Sequence, residues 1–238
     1  MIGVYDYTVI LTYLSLLSGT MGIIVSMSGM GHPFIGMYFL LFSGLCDTFD
    51  GKVARTKKDR TRIEKDFGVQ IDSFSDLIAF GVLPVSIGLA MLRVSTRFTY
   101  IPKIHPKEGE FRWYPVLLLF IAFVYVLAAV IRLAYYNVTE EERAKEKEET
   151  GQSSFTGLPV TSASLIFPFV LLLHYMLDFD LSVVYFCVML ITGLLFLGRF
   201  KVRKPGNKML AFLIIVGLIE FILLLILKFG NIDFGFVG

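Results

Sequence analysis

Seven stretches of the chain are apolar over lengths close to the roughly 20 residues a helix needs to cross a hydrocarbon core of about 30 Å. They run near Tyr7 to Met27, Pro33 to Cys46, Ile71 to Leu92, Trp113 to Asn137, Leu158 to Leu177, Ser182 to Leu197 and Met209 to Leu227. Only helices or closed barrels satisfy backbone polar groups in lipid, and runs of this length suit helices. The pattern predicts an all-α polytopic membrane protein, one integral membrane domain over residues 1–238 held in the lipid bilayer. Composition agrees, with 55% hydrophobic residues, 18% charged ones and a mean hydropathy of +0.72, where soluble domains carry about 25% charge. A disordered chain and an ordinary soluble enzyme are excluded. A net charge of +2, with the cations in short loops, gives no sign of a nucleic-acid partner.

The second run is 14 residues long and must continue through Asp47, Asp50 and Gly51 to span a bilayer. The third must begin at or before Gln70 and Asp72. Two neighbouring helices therefore carry carboxylates near one membrane face. Lys and Arg counts in alternate loops give 15 on that side, seven of them from Lys52 to Lys65, against six on the other. By the positive-inside tendency the carboxylate face is cytoplasmic, with the N-terminus inside and the C-terminus outside. The first 51 residues hold no Lys or Arg, so the first apolar segment is expected to remain in the mature protein. Cys46 and Cys187 lie in apolar segments and are expected to act as small hydrophobes. The alternating charges of Thr139 to Thr150 favour an exposed helical extension.

The chemistry concentrates in CDTFDGKVARTKKDRTRIEKDFGVQIDSFSD, Cys46 to Asp76. Asp47 and Asp50 stand at i and i+3, Asp72 and Asp76 at i and i+4, so each pair projects from one helix face. Four carboxylates at such depth are costly unless neutralised, and hard oxygen ligands suit Mg²⁺, Mn²⁺ or Ca²⁺. A site for one or two divalent ions follows. Gly51, Gly68 and Ala54 leave room for a ligand's diphosphate to approach the backbone, and Arg55 can grip a phosphate with two parallel hydrogen bonds. Arg132, inside the fourth span, is by position a candidate for contact with substrate, and Asn137 at the end of that span could support it.

Asp47, Asp50, Gly51, Ala54, Arg55, Gly68, Asp72 and Asp76 together resemble the signature of the CDP-alcohol phosphotransferase family, D-x2-D-G-x2-A-R-x8-G-x3-D-x3-D. One spacing departs from it: twelve residues, 56–67, separate Arg55 from Gly68, where the family has eight. Four residues are about one helical turn, so the extra length can enter a helix or the connection without rotating the acids away. Three further stretches, DSFSDLIAFGVLP from Asp72 to Pro84, IRLAYYN from Ile131 to Asn137 and FTGLP from Phe155 to Pro159, are similar to the branch of that family that uses serine, the CDP-diacylglycerol:serine O-phosphatidyltransferases.

The resemblance implies a bundle of about six to eight transmembrane helices that transfers a phosphatidyl group from CDP-diacylglycerol to L-serine and releases CMP, and it implies a homodimer. It assigns Asp47, Asp50 and Asp72 to metal, Asp76 to a second metal and to proton removal, and Gly51, Ala54, Arg55 and Gly68 to the cytidine diphosphate. Arg132 and Asn137 become candidates for the acceptor or the lipid phosphate. Alternatives keep the fold with glycerol 3-phosphate or an inositol phosphate as acceptor, or CDP-archaeol as donor. A cation transporter is the remote alternative, and neither inverted repeats nor broken helices support it. The unrelated serine transferases that work through a covalent histidine are excluded, because Arg112 stands where the acid of H-x-K-x4-D would follow His105 and Lys107.

Overall fold

The computed structural model describes residues 3–28, 33–94, 113–140, 154–177, 181–203 and 207–229. All seven apolar runs are helical. They form α1 (Ile10–Met27), α2 (Pro33–Ala54), a continuous rod of α3 (Arg62–Asp76), one π-helical stretch (Leu77–Val82) and α4 (Leu83–Val94), then α5 (Trp113–Val138), α6 (Ala163–Met176), α7 (Ser182–Phe196) and α8 (Asn207–Phe229). Four segments are long and apolar enough to cross a membrane: Ile10–Met27, Arg62–Arg93, Pro115–Val138 and Lys208–Leu227, with Val160–His174 and Ser182–Phe196 as shorter apolar helices. The chain is thus an all-α polytopic membrane protein. The charged stretch from Thr139 onward lies outside the described residues after Glu140.

α1 shows how such helices pack without a hydrophobic gradient between core and lipid. Its buried residues are Thr12, Ser15, Ser18, Gly19, Gly22 and Ser26, at helical spacing, while Ile10, Leu14, Leu17, Met21 and Ile24 are exposed. Small side chains let backbones approach and polar ones bond across the contact. A Cβ on Gly19 would stand 3.0 Å from the Ala79 Cα. Ser15 and Ser43 donate to each other's carbonyl oxygens at 3.4 and 3.1 Å, and Ser18 donates to Phe39 O at 2.8 Å.

α3 starts at a capping box: Thr61 Oγ1 accepts from the Glu64 N–H at 3.2 Å, and the Thr61 N–H donates back to Glu64 Oε2 at 2.7 Å. The rod it opens is the centre of the bundle, with 72% of its apolar window buried against 11% for α8. The π-helical stretch has a local cause. Pro84 has no N–H to donate to the carbonyl of Phe80 four residues earlier, and the Leu83 N–H reaches back five residues to Ile78. The freed Phe80 oxygen accepts from the Tyr125 hydroxyl of α5 at 2.6 Å. Tyr185 of α7 donates to Pro84 O at 2.8 Å. Both tyrosines are fully buried and pack with Phe167 and Phe196, ring centroids 5.0 to 5.6 Å apart.

A two-stranded antiparallel pair closes one end: β1 (Ser154–Thr156) runs against β2 (Lys201–Arg203), Phe155 facing Val202. At Gly157 the chain turns with φ +75°, where a Cβ would stand 2.6 Å from Gly198 O and 3.0 Å from Phe196 O. Only glycine fits this position. The Gly157 N–H donates to Phe200 O at 2.7 Å and the Leu158 N–H to Leu195 O at 3.1 Å, so the connection into α6 is anchored to the end of α7.

Candidate active site

The last turns of α2 and the body of α3 bring the signature acids together. One carboxylate oxygen from each of Asp47, Asp50 and Asp72 lies within 4.8 Å of the other two. Donors bound to one Mg²⁺, Mn²⁺ or Ca²⁺ at about 2.0–2.6 Å cannot be much further apart than this, so the three acids fit a divalent cation. Asp50 is buried and accepts from the Thr12 hydroxyl of α1 at 3.3 Å. Asp76 is also buried and stands outside the three. Its carboxyl lies within hydrogen-bonding reach of Asp47, as Asp50 does of Asp72.

Asp47, Asp72 and Asp76 line one side of a cavity of about 190 Å³ whose other walls are Arg132, Leu133 and Tyr136 of α5 and Pro159, Val160 and Thr161 before α6. The stretches IRLAYYN and FTGLP thus meet across from the acids. Arg132 is buried, donates from Nε to Leu158 O at 3.3 Å and carries its guanidinium 5.8 Å from the Tyr136 ring centre. Asn137 has a different position: its amide bonds the Ser73 hydroxyl at 2.9 Å, tying α5 to α3 beside Asp72, and it is not among the cavity-lining residues.

Ala54 is the last residue of α2, and Arg55 is exposed just beyond it. The twelve residues between Arg55 and Gly68 divide equally, six in the connection and six in the first turns of α3, so the extra length leaves the helical phase of Gly68, Asp72 and Asp76 undisturbed. Lys57 holds the connection down, its Nζ 2.7 Å from both Asp6 and Glu64. The Lys57 and Thr8 hydrogen bonds hold the Asp6 carboxyl at a pKa of about 2, and the two carboxylates push the Lys57 ammonium above its ordinary value.

The sequence did not single out Thr12 or Tyr136. Tyr136 sits inside a stretch already noted. Thr12 belongs to the small-residue stripe of α1 and carries no signal of its own.

The sequence that builds this acidic cavity matches a known class. A model of the CDP-alcohol phosphatidyltransferase family matches residues 8–197, and the chain belongs to that family. Among curated proteins it is similar to the CDP-diacylglycerol--serine O-phosphatidyltransferase of Saccharomyces cerevisiae, 29% identical over 65% of this chain and 50% of the yeast protein. It is also similar to the archaetidylserine synthase of Methanothermobacter thermautotrophicus, 30% identical over 66% of this chain and 53% of that protein. The CDP-diacylglycerol--serine O-phosphatidyltransferase of Helicobacter pylori strain 26695 is 26% identical over 86% and 73%. The chain spans about half the length of the yeast and archaeal relatives. No solved structure matches.

Proposed function

We propose that this chain transfers a phosphatidyl group from CDP-diacylglycerol to L-serine, releasing CMP, in a single membrane domain whose catalytic signature is 47–76. The observation that carries the reading is the arrangement of acids: three carboxylates within 4.8 Å of one another and a fourth, Asp76, lining the same cavity as Arg132. The names of the relatives support the serine acceptor. Positive loops on the acidic side support a cytoplasmic active site, and the homodimer implied by the resemblance belongs to the same proposal.

Asp47, Asp50 and Asp72 would hold a divalent cation, Mg²⁺ or Mn²⁺, and Asp76 would contribute to a second. The metal supplies positive charge against the diphosphate oxygens as charge builds on the leaving CMP. Asp76 takes the proton of the serine hydroxyl as its oxygen bonds to the lipid-side phosphorus. The bond from that phosphorus to the bridging oxygen breaks, and CMP departs with that oxygen. Gly51, Ala54 and Gly68 leave space for the nucleotide, and Arg55 binds its phosphates. Arg132, oriented by the Leu158 carbonyl and Tyr136, contacts the serine carboxylate or the lipid phosphate through its planar guanidinium.

The archaetidylserine synthase relative favours a second donor, CDP-archaeol, with the same acceptor. Purified protein given each CDP-lipid, Mg²⁺ or Mn²⁺, and L-serine, glycerol 3-phosphate or inositol phosphate in parallel separates the readings. Serine-dependent CMP release is the outcome proposed. Release with glycerol 3-phosphate or inositol phosphate in its place would assign a different acceptor.

A further inference from the structure

Each of the two signature glycines has a guanidinium against it. A Cβ on Gly51 would lie 3.4 Å from Arg55 Nη1, and one on Gly68 would lie 2.7 Å from Arg60 Nη2. Arg55 belongs to the signature. Arg60 belongs to the longer connection between α2 and α3, and nothing in the family pattern reserves a place for it.

Gly68, Asp72 and Asp76 recur at four-residue intervals on one face of α3. The Arg60 head group therefore stands on the face that carries the acids, about one turn, or 5.4 Å, before Asp72. Its bonding is incomplete. Nη2 donates to Glu64 O at 3.1 Å, while Nε is closed off from solvent and has no hydrogen-bond partner among the described residues. Of the nearby cations, Lys57 pairs with Asp6 and Glu64, and Arg62, the first residue of α3, with Asp66 at 3.7 Å. No described carboxylate pairs with Arg60. An arginine with a buried N–H to spare is short of an acceptor, and its planar fork matches phosphate oxygens.

We propose that Arg60 is a second phosphate-binding arginine of the donor site, which with Arg55 grips the diphosphate of the CDP-lipid from the α3 side. The inference rests on the donor reading above. It gives the lengthened connection a purpose, since the added residues carry a guanidinium to Gly68 and the Lys57 bridge keeps the connection in place.

The test is calorimetric binding of CDP and of cytidine to the purified protein in Mg²⁺, with Arg60→Met and Arg60→Lys beside the unsubstituted chain. Loss of one charge-assisted phosphate contact is expected to weaken CDP binding about tenfold or more in Arg60→Met. Arg60→Lys, which keeps the charge and loses the fork, falls between. Cytidine, lacking phosphate, binds all three alike. Equal CDP affinity in Arg60→Met and the unsubstituted protein overturns the proposal. Parallel weakening of CDP and cytidine, with a lowered melting temperature, also overturns it and leaves Arg60 only its bond to the start of α3. If the unsubstituted protein binds no CDP, the donor reading itself fails, a result distinct from either.

Discussion

Replacing Gly157 by alanine perturbs the site without touching any acid. The left-handed φ of +75° costs a residue bearing a Cβ about 1–2 kcal/mol. The new methyl would stand 2.6 Å from Gly198 O and 3.0 Å from Phe196 O, and these are backbone atoms that cannot swing aside. Relief requires moving the turn, which strains the Gly157 to Phe200 and Leu158 to Leu195 hydrogen bonds, each contributing about 0.5–1.5 kcal/mol. The expected loss is about 2–4 kcal/mol, read by denaturation in detergent. Because Leu158 O is the acceptor that orients Arg132, CMP release should fall by more than the unfolded fraction explains. Gly217→Ala serves as the control: its Cβ would meet only the Leu165 side chain, at 3.3 Å, inside a helix where alanine is the better residue. If the two substitutions have the same effect on stability and rate, the account of the turn is wrong.

Three further outcomes follow from other parts of the molecule. Tyr125→Phe strands the Phe80 carbonyl at the π-helical stretch and should cost about 1–3 kcal/mol, measured by detergent denaturation against Tyr135→Phe, whose ring is exposed; equal stability of the two variants would refute the pairing. The Asp6 carboxyl has a lowered pKa, so its bond to Lys57 stabilises the fold above the ordinary carboxylate range and is lost as pH falls through about 2. Limited proteolysis near the N-terminus should therefore be unchanged from pH 8 to pH 5, and faster at pH 7 in Asp6→Asn, with high salt narrowing the difference. Chelation of divalent ions should abolish CMP release and lower the melting temperature, both restored by Mg²⁺ or Mn²⁺; a chelated protein of unchanged stability and rate contradicts the carboxylate site.

The acids were legible in the sequence because carboxylates at helical spacing inside apolar runs have few inexpensive explanations, and the structure brings Asp47, Asp50 and Asp72 together. The seven helices were legible for the same reason, through hydropathy alone. Less visible was what faces the acids. Arg132 attracts notice as a charge within a span, but its acceptor is a backbone carbonyl at Leu158, and backbone groups carry no sequence signature. Pro84 announces a missing N–H, whereas its consequence depends on Tyr125, 41 positions later. The β1–β2 pair is only three residues long in each strand, too short for alternation to register. Asn137, a plausible substrate contact from its position, is engaged by Ser73 because α5 and α3 end side by side.

The most direct test of the central claim is CMP release from CDP-diacylglycerol by purified protein in Mg²⁺ or Mn²⁺, with and without L-serine, for the unsubstituted chain and Asp76→Asn. Release should require both metal and serine and fall at least about 100-fold in Asp76→Asn, the scale of removing a positioned base. Release that is unaffected by Asp76→Asn, or that never depends on serine, would contradict the claim.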